Sequence, residues 1–396
     1  MSLNDPIVIV AARRTPIGGM NGQFSSLTSP QLASSAIAAA LKDSGLPADA
    51  ISEAIIGCVL PAGVGQAPAR QAVLGAGLPP SLPCSTLNKV CGSGMKAVML
   101  AHDQIMAGSA AIMIAGGMES MTNAPHMLPK ARQGYRYGHT QVLDHMAYDG
   151  LENAYDGQSM GVFGEMCAEK YGFTREMQDA FAMESVKRAQ RAVADGSFKN
   201  EIAGVVVKGK GGEALIEIDE TPGQCKIEKI PTLKPAFKPT GGTVTAASSA
   251  SISDGAAALI VMRESDAKAR GVKPLARILG HATHAQEPAW FTTAPVGAIN
   301  KLQKQLRWTP KDVDLYEINE AFAVVTMAAM HDLGLDHTRV NVNGGACALG
   351  HPIGSTGARL LVTLIHALRN RDLKRGIASL CIGGGEATAM AVEVSL

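Results

Sequence analysis

No apolar run in this 396-residue sequence approaches the length of a membrane span. An excess of either charge is also missing, with 36 lysines and arginines against 35 acidic residues. That balance argues against nucleic acid or an anionic membrane surface as the main partner. The seven cysteines (58, 84, 91, 167, 225, 347 and 381) form no CxxC pair and no even framework. They read as reduced thiols in a reducing compartment. In MSLNDPIVIVAARRTPIGG, Arg13 and Arg14 precede Thr15 and Pro16 rather than a long apolar run, so no export signal is read there. EVSL at the other end carries no peroxisomal address. A cytoplasmic location is expected.

What the sequence does have is ordinary for a globular enzyme. Hydrophobic residues at 46% and charged residues at 18% exclude disorder as the main state. The length exceeds what one core fills, which predicts two or three packed units. Glycine, at 43 residues, clusters near turns, where the backbone has to come close to something.

Short apolar runs alternate with amphipathic ones. IVIVAA, AIIGCVL, IMIAGG, AAALIVM, VNVNGG and ASLCIGGG predict buried strands. Between them, Ser29 and Pro30 open a helix that Gly45 ends, with Leu32, Ala36, Ile37, Ala40 and Leu41 on one face. A second helix follows Cys91 and stops at Gly108. Another starts at Gly357 and places Leu360, Leu361, Leu364, Ile365 and Leu368 on one face. The alternation predicts an α/β protein with largely parallel sheets.

Two pairs of segments echo each other. LPADAISEAIIGCV near residue 46 matches WTPKDVDLYEINEAF near residue 308, and IMIAGGMESM matches LCIGGGEATAM. Asp49 precedes Gly116 by nearly the interval at which Asp312 precedes Gly383. Same order and similar spacing predict a duplicated α/β half rather than a solenoid. Residues 122–248 have no counterpart, and predict an insertion folded over the first half.

Chemistry gathers in three small-residue motifs: KVCGSG around Cys91, NGGACALGHPIGSTG around His351 and LCIGGGEA around Cys381. A cysteine in a glycine turn is either a packed small hydrophobe or a nucleophile favoured as thiolate at a helix start. A lone loop histidine is usually a hydrogen-bonding residue, and a cysteine beside GGG is more often packing than chemistry. Together the three motifs supply what acyl transfer needs. A thiol takes the acyl group, an imidazole activates it, and free N–H groups stabilise the oxyanion. Strand ends are where open α/β folds usually build such sites.

NKVCGSG, NEAF, NGGACALGHPIGSTG and CIGGGEA, in this order and at these spacings, resemble the signatures of the thiolase family. The match runs from IVIVAARRTPIGG to the last strand, and DGAAALIVM also fits. Ketoacyl synthases and hydroxymethylglutaryl-CoA synthases share the nucleophilic cysteine but not the second one in CxGGG. The resemblance implies the five-layered αβαβα architecture with an inserted loop domain. Residues 1–121, completed by 249–273, would form one half, 122–248 the loop domain that holds coenzyme A, and 274–396 the other half.

The implied activity is acetyl-CoA C-acetyltransferase, the reversible condensation of two acetyl-CoA to acetoacetyl-CoA and CoA through an acetyl-cysteine. Cys91 matches the acylated nucleophile, His351 its base, Cys381 the second acid/base and Asn319 the holder of a water in one oxyanion hole. The amides of Cys91 and Gly383 would form the other hole. Ser159, Met160, Phe237, Ala246, Ala250, Phe291, Ala321 and Phe322 match substrate-contacting positions. No metal or cofactor is implied, and a homodimer or homotetramer is expected. The alternatives are a degradative 3-ketoacyl-CoA thiolase for longer chains and a non-catalytic acyl-CoA carrier.

Some positions depart from the commonest family pattern. Ser159 stands where many biosynthetic thiolases have histidine, and Ala250 where a coenzyme-contacting serine often sits. PGQCKIEK lacks the arginine that often meets adenine; either Lys226 or Lys229 replaces it, or the loop is simply solvated. In EPAWFTTAP, Trp290 and Phe291 put two large rings where several relatives have valine and methionine, facing either the acyl end or the core. HATHAQE offers two histidines and a glutamate, but the spacing is a poor metal pattern. GKGGE lacks the end of a phosphate loop and predicts a hairpin turn.

Overall fold

The computed structural model describes residues 5–209 and 211–394, so Lys210 of the GKGGE stretch and the last two residues of EVSL lie outside the described part. The main strands are β1 (Ile7–Arg14), β2 (Glu53–Gly57), β3 (Cys84–Leu87), β4 (Ile112–Ser120) and β5 (Ser253–Arg263) in the first half of the fold. β6 (Ala276–Ala285), β7 (Leu315–Ile318), β8 (Arg375–Ile382) and β9 (Glu386–Val394) form the second. Their order is β7-β8-β9-β6-β1-β5-β4-β2-β3, and the short strand Gly18–Gly19 adds to β5. A brief pairing of Val8 and Ile9 with Arg277 and Ala276 joins the two halves.

The echoed segments fall on equivalent strands. Short helical turns at Ala48–Ala50 and Pro310–Asp312 lead into β2 and β7. Each of these strands then pairs in parallel with its partner, β2 with β4 and β7 with β8. The prediction of largely parallel sheets is corrected. Only β2–β3, β2–β4 and β7–β8 are parallel, and the remaining neighbours run antiparallel. A short connection favours that arrangement: β8 turns into β9 through Gly383, Gly384 and Gly385, whereas a parallel partner needs a long crossover.

Among the described residues, the helices longer than eight residues are α1 (Ser29–Ser44), α2 (Ser93–Ala107), α3 (Met160–Tyr171), α4 (Arg175–Ala194), α5 (Ala294–Leu306), α6 (Ala323–Leu333) and α7 (Thr356–Arg369). Alternate residues of β1 face opposite cores, as the period-two geometry of a strand dictates. Val8 and Val10 join Leu32, Ala36 and Ile37 of α1 on the outside. Ile7 and Ile9 join Met95 and Val98 of α2 and Leu361 and Leu364 of α7 on the inside, together with Leu380 and Met390 from the other half. On the far side Ile299 and Leu302 of α5 pack with Ile377 and Ala389. The result is helix, sheet, paired central helices, sheet, helix: the five-layered αβαβα arrangement.

Two helix and strand expectations change. The stripe on α7 becomes complete enclosure, because every residue from Thr356 to Leu368 is buried between the two sheets. Close approach of α2 and α7 explains small residues there: a Cβ at Gly357 would stand 2.4 Å from the Met95 nitrogen. VNVNGG is not a strand. Val340 makes a single bridge to Tyr316, and then the Asn341 amide takes over, accepting from the Ile318 N–H and donating to its carbonyl, both at 2.8 Å. Asn341 itself sits at φ 49°, which breaks strand geometry.

The insertion spans both halves rather than the first alone. Its hairpin, Val205–Gly209 with Gly212–Ile216, places Val205 in the outer core of the first half. Arg14 of β1 holds Glu201 at 2.6 Å and Asp219 at 2.7 Å. Helix α4 instead reaches the second half, where Arg188 donates to the Val340 carbonyl at 2.7 Å and Ser185 to Glu320 at 2.7 Å.

Candidate active site

Cys91 sits on a sharp turn before α2. Val90 adopts φ 45°, a costly conformation for a β-branched residue that persists only where the surroundings hold it. They do: Asn88 accepts from the Val90 N–H at 2.9 Å, Ser93 accepts from the Lys89 N–H at 2.8 Å and donates to the Val90 carbonyl at 2.6 Å. Lys89 also pairs with Glu386 at the start of β9, tying this turn to the strand after Cys381. The turn presents the sulfur to its own N–H and to that of Gly383.

The dipole argument for a resting thiolate fails here. Burial pushes the Cys91 thiol up to about 11, and the two amides offset only part of that shift. Cys91 therefore rests protonated at neutral pH. Cys381, buried near the end of β8, is raised well above the ordinary thiol range by burial and then by nearby Cys91.

His351 lines the same cavity as Cys91. Its Nδ1 lies 2.6 Å from the Thr356 hydroxyl, which already donates its single proton to the Pro352 carbonyl at 2.9 Å. Thr356 must then accept, so the network assigns the proton to Nδ1 and leaves the Nε2 lone pair facing the site. Burial, with the Arg359 charge second, lowers the imidazole pKa to about 3, so the resting ring is neutral. Asn319 Nδ2 stands 3.5 Å from Nε2, while Asn319 Oδ1 is buried with no partner among the described residues. A bound water would satisfy it.

Cys91, His351, Cys381 and Gly383 line one cavity of about 400 Å³, and Ser159, Met160, Phe237, Ala246, Ala250, Phe291, Ala321 and Phe322 line it too. The structure thus brings together the catalytic and substrate-contacting residues that the resemblance implied except Asn319, which stands behind His351. Of the two rings in EPAWFTTAP, only Phe291 lines it; Trp290 lies under the Lys170 ammonium, 4.3 Å from the ring centre. Lys226 and Lys229 are exposed and lie outside that lining.

Sequence reasoning missed the residues that hold this site. Glu119, buried and raised to about 7 by burial, accepts from the N–H groups of Val59, Leu60 and Gly354. It ties the GHPIG turn to the segment that follows β2. The Ser251 carbonyl accepts from the His351 N–H at 3.1 Å. Thr356 was also missed. The available signals were an acid inside the apolar strand IMIAGGMES and a hydroxyl five residues after His351.

Residues 7–265 match the family model described as thiolase, N-terminal domain, and residues 272–394 that of the thiolase C-terminal domain. A probable acetyl-CoA acetyltransferase of Dictyostelium discoideum is 48% identical over 98% of this chain and 94% of its own. An acetyl-CoA acetyltransferase of Cupriavidus necator is 47% identical over 98% of this chain and 99% of its own. Among solved structures, the Bacillus anthracis acetyl-CoA acetyltransferase superposes with a TM-score of 0.96 at 38% identity, over 99% of both chains. The Acat5 thiolase of Ascaris suum, in complex with coenzyme A, gives 0.93 at 40% identity over 98% of this chain and 100% of its own. Matching motifs, layers and near-complete coverage lead to one conclusion: the chain belongs to the thiolase family.

Proposed function

We propose that this protein is an acetyl-CoA C-acetyltransferase, condensing two acetyl-CoA into acetoacetyl-CoA and CoA, and running the reverse cleavage. The observation that carries this reading is the meeting of a partly buried and a buried thiol, one neutral imidazole and the Gly383 amide in a single cavity. The names of the relatives support it, as does the coenzyme A complex of the Ascaris suum neighbour.

In the first half-reaction His351 Nε2 takes the Cys91 proton as the sulfur attacks the acetyl carbonyl. The tetrahedral oxyanion is held by the N–H groups of Cys91 and Gly383, and coenzyme A leaves as a thiol after taking up the proton of Cys381, which leaves a Cys381 thiolate beside a His351 imidazolium. In the second, deprotonated Cys381 removes an α-proton from another acetyl-CoA. The resulting enolate oxygen meets the imidazolium Nε2–H and a water held by Asn319. Its carbon attacks the acetyl-cysteine, the C–S bond breaks, and Cys91 recovers its proton from the His351 imidazolium, which leaves both thiols protonated and the imidazole neutral as at the start. A weakly acidic α-proton needs these donors in place before a base suffices. The steps draw on side chains, amides and water, with no metal or redox group.

Residues 122–248 serve as the loop domain for coenzyme A, between the halves 1–121 with 249–273 and 274–396. The reading includes a homodimer or homotetramer and a cytoplasmic location. A thiolase for longer 3-ketoacyl chains would share the catalytic set, but the Phe291 ring at the acyl end favours short substrates. A carrier without turnover has no use for a second buried thiol. Brief exposure to acetyl-CoA followed by mass spectrometry should place the acetyl group on Cys91. Acetylation confined to Cys381, or no cleavage of acetoacetyl-CoA by coenzyme A, would sink the reading.

A further inference from the structure

HATHAQE does not act as a unit. His281 and His284 are three residues apart on β6, so they point to opposite faces of the strand. His284 bonds Gln286 at 3.0 Å. His281 instead meets two residues of the long central helix α2, His102 and Asp103, which sequence spacing gave no reason to connect with it.

The three ligand atoms form a compact triangle. His281 Nε2 lies 2.9 Å from Asp103 Oδ1 and 3.3 Å from His102 Nδ1, and His102 Nδ1 lies 3.0 Å from the same oxygen. Donor atoms bound at about 2.0–2.1 Å around a tetrahedral zinc stand about 3.3 Å apart, and at octahedral right angles about 2.9 Å. The triangle's edges fall between these values. The two imidazoles meet edge to face, at 88° and 5.1 Å between centres, so their nitrogens converge without the rings colliding. His102 and His281 are mostly covered, with side chains 19% and 17% exposed, while Asp103 is 50% exposed. Two anchored nitrogens and one solvent-facing carboxylate leave a side open for entry and for a water ligand.

We propose that His102, Asp103 and His281 bind one divalent transition-metal ion of the zinc class, apart from the catalytic cavity. The ion would join α2, whose start carries Cys91, to β6 of the opposite half. His102 is eleven residues beyond Cys91 along a helical path, roughly 16 Å at 1.5 Å per residue, so the ion takes no part in acyl transfer. Its effect is on the stability of the joined halves, since an ion that binds only the folded state raises the unfolding temperature.

The test uses the full chain stripped with chelator, then titrated with CoCl2 or ZnCl2. The unmodified protein should take up one ion per chain at this site, with the visible absorption of tetrahedral cobalt. His281→Ala and, separately, Asp103→Asn should weaken that uptake by roughly tenfold or more while leaving acetoacetyl-CoA cleavage unchanged. Asp103→Asn keeps the side-chain shape, so it reads metal binding even if His281→Ala unfolds. Zinc should raise the unfolding temperature of the unmodified protein and of neither variant. Equal uptake by all three proteins, or none by the unmodified protein at millimolar metal, overturns the proposal. The trio would then be a hydrogen-bonded cluster only, with Asp103 accepting from both imidazoles.

Discussion

Phe291→Ala is expected to lengthen the acyl chain that the enzyme accepts. The ring is 3% exposed and lines the cavity, held edgewise by Phe163 at 6.3 Å and Phe322 at 6.5 Å between centres. Phe322 is backed in turn by Phe237 at 5.8 Å. A ring packed on several sides cannot swing away cheaply, so a long acyl chain has to overpack the cavity. Overpacking costs about 1–3 kcal/mol, which is roughly a five- to hundredfold loss in specificity constant. The alanine variant should recover that factor for a ten-carbon 3-ketoacyl-CoA and gain little on acetoacetyl-CoA. Loss of the buried ring should also cost about 3–5 kcal/mol of stability, so Phe291→Leu, which keeps an apolar occupant, is measured alongside. The assay is kcat/KM for coenzyme-A-dependent cleavage of both substrates, with urea unfolding to check the fold. Equal or better use of the longer substrate by the unmodified enzyme would refute the reasoning, as would a folded variant with no gain.

Cys381→Ser should keep acyl exchange on Cys91 and lose condensation; loss of both half-reactions in a folded variant would leave Cys381 without a separate role. Thr356→Val removes the acceptor for His351 Nδ1–H, leaving a buried donor unsatisfied at about 1–3 kcal/mol, and should lower kcat by roughly ten- to a hundredfold with KM little changed. A variant with unchanged kcat would show that Thr356 does not set the tautomer. Acid should destabilise the fold through His351, whose folded pKa of about 3 lies below its ordinary 6.5. The unfolded chain takes up a proton that the fold excludes, so stability is intact above pH 6.5 and falls as pH drops toward 3, by about 2 kcal/mol at pH 5. Urea unfolding midpoints of the unmodified protein and His351→Asn between pH 7.5 and 5 should diverge; parallel curves would contradict the assignment.

Much of this was legible because it is local. β1, β2, β4, β5 and β8 coincide with β-branched or small apolar runs, and the stops of α1 and α2 at Gly45 and Gly108 follow from left-handed glycine caps. The catalytic motifs were legible for another reason: each packs a reactive group and small neighbours into one short stretch. The resemblance, not the spacing, supplied the roles and the substrate-contacting positions such as Phe237 and Ala246, which carry no chemical mark of their own.

The sequence by itself determined five of the main strands, the helix caps, the duplicated half and the identity of the reactive groups, since these depend on side chains a few residues apart. Tertiary structure alone decided what depends on distant neighbours. Antiparallel order came from how strands pair within each half, and the enclosure of α7 from a second sheet. Cys91 reads as a thiolate from its helix start, whereas desolvation by the rest of the fold keeps it a thiol. Glu119 and Thr356 act through partners on other turns and strands. His102, Asp103 and His281 meet although 178 positions separate the last two. Propensity and dipole effects are short-ranged and readable in order along a chain, whereas burial and convergence exist only once the chain has closed on itself.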